Sequence, residues 1–346
     1  MATLQLDYVL NRSTFVCILL LVISSSGPAQ QISSKVSVEN LMDAGHWKRA
    51  RQMVEARLNA NPRDAFALYL SSKVQASFGN LEKALDQAQK AVAMESKNAD
   101  FLSQSAEIHV RLADRVSVVK QVIYVRQFKK EVEAALAINP RHVDTLLVDI
   151  MFLARAPMVA GGDKKRAHVL AQQLTEIDPG WGYLSQARLA ELDKDEARIE
   201  RALTKAVETN PKGYLARQYL AQFYLRPSPK PRLDLAEKLA KELIQADPGQ
   251  AGGYDVLVAV LAQQHRWPEL EAILTKAEAA VPDDLSPYYF AGNALVGSPE
   301  DPARASRYLH KYLTQEPEGR QPTAAQCREL LARNTGRLTS RSEVPR

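Results

Sequence analysis

Cysteine is almost absent: Cys17 and Cys327 are the only two in 346 residues. No disulfide framework can organise this chain, so its stability must come from packing. Long apolar runs are missing too. The run Phe15 to Ile23 has nine residues, against the about 20 that a membrane-spanning helix requires. Neither sign of charge dominates: 45 Lys and Arg stand against 40 Asp and Glu, for a net charge of +5. The opposite charges are interleaved, so composition gives no case for nucleic acid or an anionic membrane surface. Catalytic signatures are also lacking. Six histidines occur, but none forms a His-Glu-x-x-His pair or lies at metal-ligand spacing with cysteine. There is no Gly-x-Ser-x-Gly elbow and no phosphate loop. The nearest approach, Gly161-Gly162-Asp163-Lys164-Lys165, lacks the hydroxyl and follows a helical pattern, so it reads as a turn with Asp163 capping the next helix. Carboxylates such as Asp193, Asp195 and Glu196 fall in turns and on solvated faces. The sequence implies no metal, no cofactor and no enzyme. What is present, 46% apolar and 25% charged residues, is the make-up of a globular chain.

The N-terminus reads as an export signal. Phe15 to Ile23 is followed by Ser24, Ser25, Ser26, Gly27, Pro28 and Ala29. Gly27 and Ala29 suit the small positions before a cut near Gln30. Residues 1–29 are therefore assigned to a signal peptide and 30–36 to a linker, with a retained anchor as the other possibility. Cys17 is not preceded by the small residue of a lipoprotein signal, so no lipid anchor is expected. The expected location is periplasmic or secreted.

From about residue 37 the chain repeats itself. Prolines recur at Pro62, Pro140, Pro179, Pro211, Pro248, Pro282 and Pro317, and separations from Pro140 onward are 39, 32, 37, 34 and 35. One further unit, whose Pro is replaced near Ser96, lies between Pro62 and Pro140. This gives eight units of close to 34 residues. Twelve residues before each Pro stands a small or apolar residue: Ala50, Phe128, Ala167, Ile199, Ala236, Leu270 and Ala305, with Ala84 in the Pro-less unit. Ahead of these lie turn phrases such as Gly45-His46-Trp47 and Gly79-Asn80-Leu81. Upstream again, Tyr214, Ala216, Tyr219, Leu220, Phe223 and Tyr224 return at helical spacing. Each unit is thus a helical hairpin, and its Pro blocks continuation and turns the chain into the next.

On these residues the chain resembles the tetratricopeptide repeat family over roughly residues 37 to 317, most clearly in Pro62 to Ser96 with Gly79-Asn80-Leu81-Glu82-Lys83-Ala84 and Ala91. Three units depart in length: residues 114 to 127 lengthen the third hairpin, Met158 to Gly162 interrupts the fourth, and Arg226 to Pro231 opens the turn of the sixth. The segment Pro157 to Ala167 also resembles the interrupted repeat of the transporter-associated T-component family. The resemblance implies an all-α, right-handed superhelix of about eight hairpins over residues 37–334 with a concave inner wall. Thr323 to Ala332 is expected to cap the open end, and residues 335–346 to form a disordered tail.

In this family the first helix of each hairpin lines the concave wall. Candidate groove residues there are Tyr69, Lys73, Gln104, Arg111, Arg155, Arg188, Gln218, Gln222, Arg226, Gln263 and Asn293, with Trp181 assigned to the groove from the three tryptophans. Such a mixture of cations, amides and aromatic area suits an extended peptide or acidic tail. The family's Lys and Asn clamp for a C-terminal carboxylate has no counterpart here. The expected role is a non-enzymatic scaffold for a protein or peptide partner in the bacterial envelope or secreted space. The alternative is a transport accessory that carries or gates a small ligand within the superhelix. The loop after Pro157 is expected either to fit its own shape or to overhang the groove.

Overall fold

The computed structural model describes residues 38–342 except 212, 227–230, 297–300 and 320–321, with side chains placed as far as Asn334. The expected signal 1–29, the linker 30–36, the last four residues of the tail and positions 227–230 of the sixth-unit turn lie outside these residues. Every described regular element is a helix. Hairpin 1 pairs α1 (residues 38–43) with α2 (Trp47–Ala60), and hairpin 2 pairs α3 (Ala65–Ser77) with α4 (Leu81–Met94). Then come α5 (Ala99–Ala113) with α6 (Val118–Ile138), α7 (Val143–Arg155) with α8 (Lys164–Ile177), and α9 (Pro179–Leu192) with α10 (Glu196–Thr209). The last three are α11 (Tyr214–Leu225) with α12 (Leu233–Ala246), α13 (Ala251–Gln263) with α14 (Trp267–Ala280), and α15 (Ser286–Leu295) with α16 (Pro302–Tyr312). A final helix, α17 (Ala324–Ser342), packs on α16 and runs past Ala332, where the sequence pattern placed the end of the cap.

The local chemistry explains the punctuation. Between units, a short polar side chain caps the next first helix: Asp64 accepts from Ala67 N, Asn98 from Phe101 N and Asp178 from Trp181 N. Inside a hairpin the turn needs a left-handed residue, supplied by Gly45 and Gly79 with φ of +86° and +83°. The repeating position twelve residues before each Pro then locks the hairpins together. Ala50, Ala84, Phe128, Ala167, Ile199, Ala236, Leu270 and Ala305 are all between 0% and 2% exposed. Where the residue is alanine, the missing side-chain bulk lets neighbouring helices approach closely. First helices also pack on one another, α3 on α5, α5 on α7, α7 on α9, α11 on α13 and α13 on α15, building an inner layer with the second helices behind it. In that layer α13 is buried from Gly252 through Ala262. Its apolar surface on every side requires that, and Gly252 leaves room for Gln218 of α11.

The solenoid does not end open. Its path returns to its start, and the turn of hairpin 1 meets the loops of hairpins 7 and 8. Arg49 pairs with Asp283 through two contacts, Nε to Oδ2 at 2.5 Å and Nη2 to Oδ1 at 3.1 Å. Arg51 grips Glu316 in the same two-pronged way, at 2.6 and 3.1 Å. The Lys48 ammonium donates to the Asp283 carbonyl, to Gln315 Oε1 at 3.1 Å and to the Glu316 carbonyl at 2.8 Å. Gly319 completes the join, since a Cβ there would lie 3.0 Å from Trp47 Cβ and 2.3 Å from Ser77 Oγ.

Candidate functional site

The first helices carry the candidate wall, and their side chains do not all behave alike. Tyr69 and Gln104, expected to face a groove, are buried at 4% and 6% exposure. Tyr69 stacks on Phe101 at 5.1 Å and so joins α3 to α5. Burial pushes its hydroxyl up to about 12. Half-buried Lys73 donates to that hydroxyl at 3.2 Å and has Asp144 and Glu107 among its electrostatic neighbours. Trp181 is exposed in the first turn of α9. Arg188 lies 4.7 Å over the Tyr219 ring and pairs with Glu191 at 3.0 Å. Arg226 reaches the same carboxylate from α11, so α9 and α11 are tied by one shared anion. Gln218 packs against Gly252, Gln222 is half-buried, and Gln263 and Asn293 are exposed. The candidates are therefore spread along seven hairpins and converge at three places: Tyr69 with Lys73, Arg188 with Arg226, and Arg111 with Arg155.

The last of these is a cavity. A depression of about 410 Å³ opens between hairpins 3 and 4, with Glu107, Val110 and Arg111 from α5, Leu147, Val148, Met151 and Arg155 from α7, and Gln121 and Val125 from α6. Pro157 and Ala160, from the turn between α7 and α8, also line it. On α7, Thr145, Leu146, Asp149, Ile150, Phe152 and Leu153 are buried. Residues 147, 148, 151 and 155 take the opposite, solvent-facing side of the helix. The apolar lining is thus aliphatic and thioether with Phe152, and the charged lining combines Arg111 and Arg155 with the carboxylates Glu107 and Asp114. Arg111 is anchored, donating to the Ala76 carbonyl at 2.8 Å and to Glu107 at 3.3 Å. Arg155 is exposed and has no side-chain partner among the described residues. A second, polar depression of about 630 Å³ lies on the outer layer, lined by His168, Gln172, Arg198, Arg201 and Lys205 among others.

Sequence reading missed two buried polar groupings, because their members are remote in sequence. Glu131 of α6 accepts from Ser105 at 2.9 Å, lies 2.7 Å from His109 Nδ1, and accepts from Gln127 at 3.2 Å. Serine and histidine here both bond the one carboxylate, Ser105 at Oε1 and His109 at Oε2. The grouping pins α5 to α6. The second lies behind the closing join. Asp255 accepts from Ser286 Oγ at 2.8 Å, and burial, reinforced by Asp284, holds its carboxyl well above the ordinary range. Burial raises Asp284 as well. Glu318 accepts from Lys48 N at 2.8 Å, and burial pushes it up to about 7, beside Asp284 and Asp283. Among the described residues no group of three His, Cys, Asp or Glu is placed to hold a metal ion.

No protein-family model matches the chain, and no curated protein does. Among solved structures it is similar to a tetratricopeptide repeat protein of Parabacteroides merdae, at 16% identity over 89% of this chain and 99% of that one, with a TM-score of 0.40. It is also similar to a thermophilic TPR protein of Thermus thermophilus, at 18% identity over 67% of this chain and 98% of that one, with a TM-score of 0.36. These overlaps are loose, and the fold is read from the chain's own helices. Among the described residues, eight stacked hairpins, with a buried small or apolar residue at one fixed register and first helices packed on one another, make this chain an all-α solenoid of helical hairpins.

Proposed function

We propose that the protein is a non-enzymatic scaffold that holds an extended segment of a partner protein against the inner wall, with the cavity between hairpins 3 and 4 as its anchoring point. The carrying observation is that cavity: an apolar lining of Val110, Val125, Leu147, Val148 and Met151 beside the Arg155 guanidinium, which has no partner among the described residues. An apolar side chain of the partner packs on this lining, and a carboxylate next to it meets Arg155. Wall positions such as Lys73, Trp181 and Gln263 extend the contact along the solenoid. The nine-residue run Phe15 to Ile23 with Gly27 and Ala29 supports an exported, periplasmic or secreted protein. The cavity volume of about 410 Å³ also lies in the range of small-molecule sites, about 300–1,000 Å³. That favours carriage of a small apolar ligand as the second reading. Affinity capture with the intact chain, compared with Met151→Glu and Arg155→Glu, separates the two. One recovered protein, weakened at least tenfold by either substitution, supports the scaffold. A bound small molecule lost from the Met151→Glu form, with no protein recovered, replaces it with the second reading.

A further inference from the structure

Two departures from the 34-residue repeat fall in adjacent hairpins, the long α6 of hairpin 3 and the turn at 156–163 of hairpin 4. They lie side by side: Gln121 and Val125 of α6 line the same cavity as Pro157 and Ala160, and Gly161 packs against the Lys129 side chain. In α6 the buried face is Phe128, Glu131, Val132 and Ala135. At helical spacing the opposite face carries Val118, Val119, Val122 and Ile123, and then, one turn on, Arg126, Lys129 and Lys130. The four aliphatics, with Met158 and Val159 from the neighbouring turn, are between 55% and 99% exposed. Aliphatic side chains left in water at successive positions of two adjoining insertions mark a contact surface.

Charge says what kind. Residues 114–130 and 155–166 hold nine Lys and Arg against two carboxylates, Asp114 and Asp163, while the whole chain is only +5, so the rest of the protein is net negative. Lys120, Arg126, Lys130, Lys164 and Lys165 are exposed and have no ion-pair partner among the described residues. Glu133, next on the same face, marks where this cationic collar ends. A protein interface concentrates aromatic residues and sheds lysine, and this patch does the reverse. A nucleic-acid surface would use the cations but leave the aliphatic tip in water. We propose that this corner docks the protein on an anionic bilayer surface. The aliphatic tip enters the boundary between headgroups and acyl chains, and the collar behind it pairs with lipid phosphates. No helix among the described residues is long and apolar enough to cross a membrane.

The test is co-sedimentation of the full chain with vesicles of phosphatidylcholine and phosphatidylglycerol at three to one, against phosphatidylcholine alone. The N-terminal apolar run is common to every form compared. The parent chain is expected to bind the anionic vesicles and to be released by salt. Lys129→Gln and Lys130→Gln should each weaken binding about fivefold, and Val119→Glu with Ile123→Glu should abolish its dependence on anionic lipid. An environment-sensitive dye on Val122→Cys, in a Cys17→Ser background with Cys327 buried, should shift to the blue on binding. Equal binding by all forms, or sedimentation without a dye shift, overturns the proposal. Self-association abolished by Val119→Glu, with no vesicle binding, also overturns it and assigns the patch to a second copy.

Discussion

Lys194 sits at φ +58° in the turn between α9 and α10, the place that Gly45 and Gly79 occupy in hairpins 1 and 2. A side chain in that conformation costs roughly 1–2 kcal/mol that glycine does not. Exposed as it is, Lys194 gains no packing in return. Lys194→Gly should therefore raise stability by about 1 kcal/mol, read as a higher denaturant midpoint at unchanged slope; an unchanged or lower midpoint contradicts the turn geometry. The glycines of the first two turns were legible in sequence for their conformational freedom. Asp193-Lys194-Asp195 was not, because the local closure of the helix end, Asp195 N donating to the Ala190 carbonyl at 3.0 Å, takes a left-handed residue there without a glycine to announce it. Glu318 is a residue-scale case with a pH signature. Its carboxyl is raised to about 7 from an ordinary 4.5. Between those values the folded chain keeps a proton that the unfolded chain has released, so stability falls as pH rises from about 4.5 to about 7 and is level above. Glu318→Gln removes this fall and should stabilise by about 1–3 kcal/mol at pH 8 but little at pH 4.5. Urea unfolding at the two pH values tests this, and an equal effect at both would show that the burial of Glu318 is not responsible.

At the scale of elements, the hairpins were readable because their signals are local. Small or apolar residues twelve before each Pro, turn glycines and caps all act within one unit. The lengthened α6 was visible for the same reason, as excess length at 114–127. The closing join was not visible. Arg49 and Asp283 are separated by more than 230 residues, and no repeat pattern distinguishes them from ordinary surface charges. The pairs are partly exposed, so each is worth about 0–1 kcal/mol. Reversing both cations, by Arg49→Glu and Arg51→Glu, sets like charges face to face. That should enlarge the radius of gyration in small-angle scattering and lower stability by about 1–2 kcal/mol. Adding Asp283→Arg and Glu316→Arg should restore both quantities. An unchanged profile in the double reversal would mean that the ends do not meet in solution. Asp283 and Glu316 are held below the ordinary carboxylate range by Arg49 and Arg51, so these pairs add stability at neutral pH that is lost as pH falls through their lowered values.

At the scale of the whole molecule, sequence could place residues on the first helices without saying where they converge. Of the twelve groove candidates, Tyr69 and Gln104 proved to be part of the packing between hairpins. Helical periodicity alone does not tell a face turned to solvent from one covered by the next first helix. Arg111 and Arg155 do share a cavity, which depends on two insertions whose spatial meeting no single-unit pattern records. Whole-chain charge likewise hid the concentration of cations beside that cavity, since an acidic remainder averages it away. The central claim is that the inner wall at hairpins 3 and 4 grips a partner's segment, and photo-crosslinking tests it most directly. A benzoylphenylalanine at Met151 should yield a discrete protein adduct in cells, and one at Arg201 on the outer layer should not. Adducts from both positions, or none from Met151, would contradict it.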